Sequence, residues 1–167
     1  MRFLLACAAL AVIFVTTAAA QPSIEVGERA PAFDMKDQFG KIWKLPDLKE
    51  RVVVLVVATT DSGRLMGPWV DTLKAQYADK VTILGLLDLK SVPSIGRGIA
   101  KSRIRKETKD PMMLDFSGRT AQTYGVSGKV PTVVVIDKNG LIQAIARQTY
   151  SKSAYESVSS VIGKSLK

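Results

Sequence analysis

Histidine is absent from this chain, and cysteine occurs once, at position 7. Without histidine there is no imidazole to bind zinc or haem and no general base for a Ser-His-Asp triad. Because the single cysteine lies so close to the N-terminus, residues 21–167 hold no thiol that could act as a nucleophile or form a disulfide. These absences exclude most common catalytic chemistry, so we expect neither a cofactor nor a bound metal.

The first 20 residues contain the longest apolar stretch of the chain, Phe3 to Val15, which lies between Arg2 and the small residues Ala18, Ala19 and Ala20. This order is typical of a secretory signal peptide, with cleavage predicted before Gln21. The alternative is a leader retained as an anchor, since the stretch approaches the roughly 18 residues that a membrane span needs. Residues 21–167 show no long linker or repeat, so we expect a single exported domain in the periplasm.

Negative charge is in short supply, because 24 lysine and arginine residues face 15 aspartate and glutamate residues, a net charge of +9. A basic helix is predicted over residues 93–107, with Ile95, Ile99 and Ile104 on one apolar side. Its cations either contact anionic lipid or another polyanion, or form a solvated face; they are Arg97, Lys101, Arg103, Arg105 and Lys106. Nucleic acid is disfavoured, because export is predicted and no aromatic residues alternate with these cations.

The order of the predicted elements indicates an α/β fold. A polar turn at residues 38–41 separates two short strand patterns, which predicts an N-terminal β-hairpin. The apolar run Val52–Val57 predicts a strand buried on both faces of a sheet, followed by a helix and a second buried strand at 81–87. Two later strands joined at Asn139-Gly140 precede a last helix. We therefore predict a three-layer α/β/α sandwich on a mixed sheet.

Four stretches of the sequence resemble the AhpC/TSA redoxin and TlpA-like branch of the thioredoxin-like superfamily. They are residues 26–33, 114–118, 130–132 and 136–140, which follow one another in the family's order. The resemblance extends over nearly all of residues 21–167 and implies the thioredoxin fold. The chain also resembles the YtfJ family, whose small periplasmic thioredoxin-fold members likewise lack the cysteine pair.

The resemblance marks the place of the family's redox site. Family members carry Cys-x-x-Cys, or one peroxidatic cysteine, at the start of the helix after the first buried strand, which here corresponds to Ser62 and Leu65. Neither side chain forms a thiolate, so this loop is a degenerate active site, made of Asp61, Ser62, Gly63, Arg64 and Leu65. The resemblance further implies a cis peptide bond before Pro131, with Val130 and Thr132 free to hold an extended peptide.

Three functions remain open on this sequence, and we favour the first. The first is a binding module without redox chemistry that holds a peptide or an envelope protein at the face of Pro131. The second is an enzyme: a divergent redoxin oxidoreductase by resemblance alone, or a thiol-independent, metal-assisted enzyme around Asp61, Ser62 and Asp88. The third is attachment to anionic surfaces through residues 93–107. A structural role competes at the loop, where Asp61 or Ser62 would serve as a helix N-cap.

Overall fold

A five-stranded mixed sheet forms the centre of the structure, a computed structural model that describes residues 24–167. The predicted signal peptide and Cys7 lie outside the described residues. The seven strands are β1 (Asp34–Lys36), β2 (Ile42–Lys44), β3 (Val52–Thr59), β4 (Val81–Asp88), β5 (Met112–Asp115), β6 (Thr132–Ile136) and β7 (Ile142–Arg147). The sheet has the order β5-β4-β3-β6-β7, in which β3, β4 and β5 are parallel and β6 is antiparallel to both its neighbours.

Four helices accompany the sheet: α1 (Gly67–Tyr77), α2 (Arg97–Glu107), α3 (Arg119–Thr123) and α4 (Lys152–Ser165). Pro68 lies in the first turn of α1. The N–H groups of a first turn make no hydrogen bond within the helix, so the N–H that proline lacks is not needed there. The α4 helix begins after Ser151, whose hydroxyl accepts a hydrogen bond from the Ala154 N–H at 3.2 Å. Within residues 24–167, no helix combines the length and the apolar character needed to cross a bilayer.

The central strand β3 is buried on both faces, as its apolar sequence predicts. Its residues Val52–Ala58 are at most 1% exposed. Because side chains alternate along a strand, Val54 and Val56 pack with α1 and α4, whereas Val53 and Leu55 pack with α3 and the N-terminal segment. The two cores on opposite faces of one sheet confirm the predicted three-layer sandwich of the thioredoxin type.

The two predicted hairpins are confirmed, and they are built in the same way. In the β1–β2 turn, the Asp37 carboxylate accepts hydrogen bonds from the backbone N–H groups of Phe39 and Lys41. In the β6–β7 turn, the Asp137 carboxylate accepts from the N–H groups of Asn139 and Leu141. Each turn contains a glycine with positive φ three residues after the aspartate, a backbone conformation that a residue with a Cβ adopts only with strain.

The α2 helix departs from its predicted pattern. Ile95 and Ile99 are 92% and 75% exposed, whereas Ile104 is half-buried, so the prediction that the three share one apolar side is wrong. Ile104 differs because it lies five residues beyond Ile99 and is rotated from it by about 140° around the helix. Gly96 and Ala100, which precede Ile104 at intervals of four residues, lie with it on the inward side.

Candidate functional site

A cleft of about 510 Å³ opens where β3 and β4 end. This is the edge at which open α/β sheets bind their ligands, because the loops after parallel strands converge there. The floor and walls come from the β3 and β4 ends, from α3 and from the loop that leads into β6. The lining residues are Thr59, Thr60, Asp61, Asp88, Lys90, Ser91, Gln122, Gly125, Val126 and Gly128.

The loop at the degenerate active site turns its hydroxyl away from this cleft. Ser62 is fully buried, at 0% exposure. Its Oγ accepts a hydrogen bond from the Thr59 N–H at 3.1 Å and lies 3.2 Å from the Thr59 Oγ1. The Ser62 hydroxyl is therefore tied to the end of β3 and does not reach a ligand.

The prediction that Ser62 caps the following helix is wrong. A 3-10 turn at Gly63–Met66 precedes α1, and the Ser62 side chain makes no capping hydrogen bond to it. The reason is the Ser62 backbone, which is helical at φ −98° and ψ −1°, whereas a capping residue is usually extended.

The remaining residues of the degenerate site lie near the surface. Asp61 is exposed and lines the cleft. Arg64 is exposed, and Leu65, at the second family cysteine position, is 38% exposed. The structure thus brings Asp61 to the same cleft as Asp88, as the strand-end argument predicts, but it places no nucleophile at either of the cysteine positions.

Asp88 is the buried charged group of the cleft. Its side chain is only 3% exposed, and its Oδ1 accepts a hydrogen bond from the Lys90 N–H at 2.9 Å. Its Oδ2 has no hydrogen-bond partner among residues 24–167. The Lys90 ammonium lies 3.6 Å from Oδ2, which is close enough for an ion pair but too long for a hydrogen bond. The ion pair with Lys90 stabilises this buried carboxylate oxygen only in part. The oxygen can therefore still accept a hydrogen bond from another donor.

Sequence reasoning identified Asp61 and Asp88 and missed most of the other residues of this site. It did not select Lys90, Gln122 or the loop Gly125–Gly128. This loop borders the cleft, and its Gly128 carbonyl accepts a hydrogen bond from the Thr59 hydroxyl at 3.3 Å. The rule that ligands bind beyond the carboxyl ends of parallel strands would have selected Lys90, two residues after β4.

The structure corrects the prediction for Pro131. No peptide bond among residues 24–167 is cis, so Val130 and Pro131 are joined by a trans bond, the intrinsically favoured isomer. The Val130 carbonyl accepts a hydrogen bond from the Ser127 hydroxyl at 3.2 Å, which satisfies it within its own loop.

The neighbours of Pro131 differ in accessibility. Pro131 and Thr132 are buried, and Thr132 lies inside the sheet opposite Val57 of β3 and Arg147 of β7. Val130 is half-buried and is the accessible residue of this stretch. Peptide binding at residues 130–132 stays a prediction, and only Val130 offers surface for it.

The metal-assisted alternative is based on Asp61, Ser62 and Asp88, and it stays a prediction. Among residues 24–167, no group of three or more histidine, cysteine, aspartate or glutamate residues is arranged to hold a metal ion. Asp61 and Asp88 supply two carboxylates to the cleft, and Lys90 is already an ion-pair partner of Asp88.

Comparison with known proteins agrees with this architecture. Residues 26–145 match the AhpC/TSA family. The chain belongs to this family. The family match covers the hairpin, four of the five sheet strands in full and the candidate cleft, and it ends within β7.

Individual relatives extend the similarity over most of the chain. The thioredoxin-like protein YneN of Bacillus subtilis (strain 168) is 28% identical over 149 residues, which cover 86% of this chain and 84% of YneN. A putative thiol:disulfide interchange protein DsbE from Chlorobium tepidum has a TM-score of 0.68 and 26% identity, covering 86% of this chain and 99% of that chain. The exposed lipoprotein thioredoxin of Streptococcus pneumoniae strain TIGR4 shares the fold, with a TM-score of 0.63 and 22% identity, covering 77% and 97%.

This member of the AhpC/TSA family differs from a thiol–disulfide oxidoreductase in one chemical respect. The Chlorobium relative is named for thiol:disulfide interchange. Residues 24–167 of this chain contain no cysteine, and Ser62 faces inward at the first family cysteine position. The fold of thiol–disulfide oxidoreductase-like proteins is therefore present without a thiol at the site.

Proposed function

We propose that this protein is a binding module without thiol–disulfide exchange, and that a peptide or an envelope protein segment occupies the cleft at the ends of β3 and β4. One observation carries the proposal. The cleft beside the degenerate active site is open, whereas the side chain at the first cysteine position is buried and bonded to Thr59. A site with room for a ligand and no thiol at its edge is suited to binding rather than to thiol–disulfide exchange.

The lining of the cleft offers hydrogen-bonding partners to an extended ligand. Hydroxyl, carboxylate, ammonium and amide groups line it, contributed by Thr60, Asp61, Lys90, Ser91 and Gln122. A peptide offers N–H and C=O groups along its whole length to such a surface, whereas an apolar small molecule would leave these groups without partners.

Asp88 supports a preference for ligands that donate hydrogen bonds. The Lys90 side chain, which lies over the Asp88 Oδ2, is 53% exposed and has freedom to move aside. An N–H or cationic group of the ligand then pairs with the Asp88 Oδ2, which has no hydrogen bond in the described structure. We therefore expect peptides with arginine or lysine to bind more tightly than peptides with glutamate.

Thermal unfolding with short peptides tests the proposal. The panel contains peptides that carry arginine, lysine, glutamate or only neutral side chains. A ligand that binds only the folded state raises the unfolding temperature with its concentration. We expect arginine- and lysine-containing peptides to raise it for the wild type and not for Thr60→Trp, because the indole fills the cleft at an exposed position.

A matched variant controls for the added indole. Ser160→Trp places the same ring at an exposed position on α4, which lies away from the cleft, and should respond to peptides as the wild type does. The proposal fails if no peptide class raises the unfolding temperature, or if Thr60→Trp and Ser160→Trp respond alike.

We propose in addition that the protein is exported, because residues 1–20 have the order of charge, apolar stretch and small residues of a signal peptide. The Streptococcus pneumoniae relative is described as an exposed lipoprotein. Mass spectrometry of the protein isolated from the cell envelope should find an N-terminus at Gln21. Recovery of the protein from the cytoplasm alone, with Met1 or Arg2 at its start, would contradict export.

A further inference from the structure

The α2 segment exposes apolar side chains that the fold does not use. Within the described chain, no residue of α2 or of the 3-10 turn Ser94–Gly96 is buried. Ile95 and Ile99 are 92% and 75% exposed, although isoleucine is among the residue types most often found inside proteins. Single exposed apolar residues are common and need no explanation. Here the two most exposed large apolar side chains of the described residues, Ile95 and Ile99, lie four residues apart.

The two isoleucines form one outward stripe. Ile95 and Ile99 are four residues apart, and Lys106 follows Ile99 after seven residues, so all three project from the same side of the helix. The inward side is formed by Gly96, Ala100 and Ile104. We call the stripe of Ile95, Ile99 and Lys106 the α2 outer face.

Positive charge is concentrated around the α2 outer face. Residues 93–109 carry six basic residues and one acidic residue, Glu107, so they hold five of the nine excess positive charges of the chain. Glu107 accepts a hydrogen bond from the Arg103 Nε at 2.7 Å. Lys101, Lys106 and Lys109 have no carboxylate within 4.0 Å among residues 24–167.

Two arginines of α2 are held in fixed positions by aromatic rings. The Arg97 guanidinium carbon lies 5.1 Å from the centre of the Phe116 ring, and that of Arg105 lies 5.5 Å from the centre of the Phe39 ring. These cation–π contacts hold both side chains against the protein surface while their N–H groups remain available as donors. Around the helix, Arg105 lies about 80° from Ile95, whereas Arg97 and Lys101 each lie about 160° from Ile99 and point away from the stripe. A flat, negatively charged partner that contacts the stripe would therefore meet Lys106 and Arg105.

We propose that the α2 outer face docks on an anionic phospholipid bilayer. Ile95 and Ile99 enter the boundary between headgroups and acyl chains, while Lys106 and Arg105 pair with lipid phosphates. A bilayer accepts apolar side chains without needing a matching pocket. A folded protein partner would need roughly 800 Å² of complementary surface on each side, which one short convex helix and the turn before it, with a single pair of exposed isoleucines, do not offer.

Vesicle sedimentation tests the proposal with the protein in the form that the cell produces. The vesicles contain phosphatidylcholine with phosphatidylglycerol, or phosphatidylcholine alone, at low and at high salt. The wild type should bind the anionic vesicles and be released by salt. The substitutions Ile95→Ser/Ile99→Ser and Arg105→Gln/Lys106→Gln should each lower the partition coefficient about tenfold.

A charge-matched variant controls for net charge. Lys152→Gln/Lys164→Gln removes two exposed lysines from α4 and should bind as the wild type does. Any contribution of residues 1–20 is the same in all four proteins and cancels in the comparison. Because α2 contributes no buried side chain, the α2 variants should keep the wild-type unfolding temperature, and this is measured in parallel.

Three results would overturn the proposal. The first is unchanged vesicle binding by the isoleucine variant. The second is an equal loss of binding in the α4 control variant, which would show that the net charge of the protein alone explains vesicle binding. The third is binding to polyglutamate as strong as that to anionic vesicles and insensitive to Ile95→Ser/Ile99→Ser, which would assign the face to an acidic polymer.

Discussion

The phenol of Tyr124 shows how burial controls a single ionisable residue. Tyr124 has no exposed surface and donates a hydrogen bond to the Pro31 carbonyl. Burial raises the pKa of Tyr124 well above its usual value, because the apolar surroundings disfavour the phenolate. The folded state therefore keeps a proton on Tyr124 that the unfolded state releases near pH 10.

We predict that the stability of the protein falls as the pH rises above about 10, and that Tyr124→Phe falls less steeply. Below that pH, Tyr124 is protonated in both states and contributes no pH dependence. The two slopes should differ by up to about 1.4 kcal/mol per pH unit in the free energy of unfolding, measured by urea denaturation. Phe33→Leu, which alters a ring packed against Tyr124, should lower stability at every pH without changing the slope. Equal slopes for the wild type and Tyr124→Phe would contradict this account.

Gly118 is a residue whose backbone conformation favours glycine. Its φ is +71°, and an added Cβ would lie 2.8 Å from the Lys90 Cδ and 3.0 Å from the Asp88 Oδ1. We predict that Gly118→Ala lowers the free energy of unfolding by about 2 kcal/mol. Gly163→Ala should instead raise it by about 0.5 kcal/mol, because Gly163 is helical and has nothing within 4 Å of the added carbon. Urea denaturation of the two variants decides the point, and shifts in the same direction would refute it.

At the scale of elements, α4 depends on the hydrogen bond at its N-terminus. The Ser151 backbone is extended, at φ −145° and ψ 160°, and its hydroxyl accepts from the Ala154 N–H. Ser151→Ala should lower the free energy of unfolding by about 1 kcal/mol. Ser160→Ala, at an exposed position in the same helix, should change it by less than about 0.5 kcal/mol. A thermal unfolding scan that gives the two variants the same midpoint would argue against the cap.

Elements whose signals are local could be predicted from the sequence. The turn at Asp137-Lys138-Asn139-Gly140 is one example, since the aspartate, the glycine and the hydrogen bonds between them lie within five residues. The buried strand β3 is another, because an unbroken β-branched run has few alternatives.

Other features depend on choices that local patterns leave open. Ser62 had two partners within reach, the helix start and Thr59, and the backbone conformation selected Thr59. Ile95, Ile99 and Ile104 were expected on one apolar side of the helix, but their uneven spacing separates Ile104 from the other two. The small residues Gly96 and Ala100 allow the side that carries Ile104 to approach the rest of the domain. Lys90 and Gln122 come to one cleft from distant parts of the chain, which no sequence pattern records.

At the scale of the whole molecule, this protein has the fold of the AhpC/TSA family, but its residues 24–167 lack the thiol that thiol–disulfide exchange requires. The match over residues 26–145 and the five-stranded sheet place the chain in the family. Thiol–disulfide exchange needs a thiolate, and no cysteine occurs in residues 24–167. A shared fold does not by itself carry the activity of relatives, since activity resides in the site.

The reduction of insulin disulfides by dithiothreitol tests the absence of thiol–disulfide exchange most directly. The turbidity of precipitating insulin chains is followed with the protein in the form that the cell produces, beside a buffer blank. The account predicts a rate equal to the blank. A rate above the blank would contradict it, and repetition with Cys7→Ser would show whether the activity resides in the one cysteine of the chain or in residues 24–167.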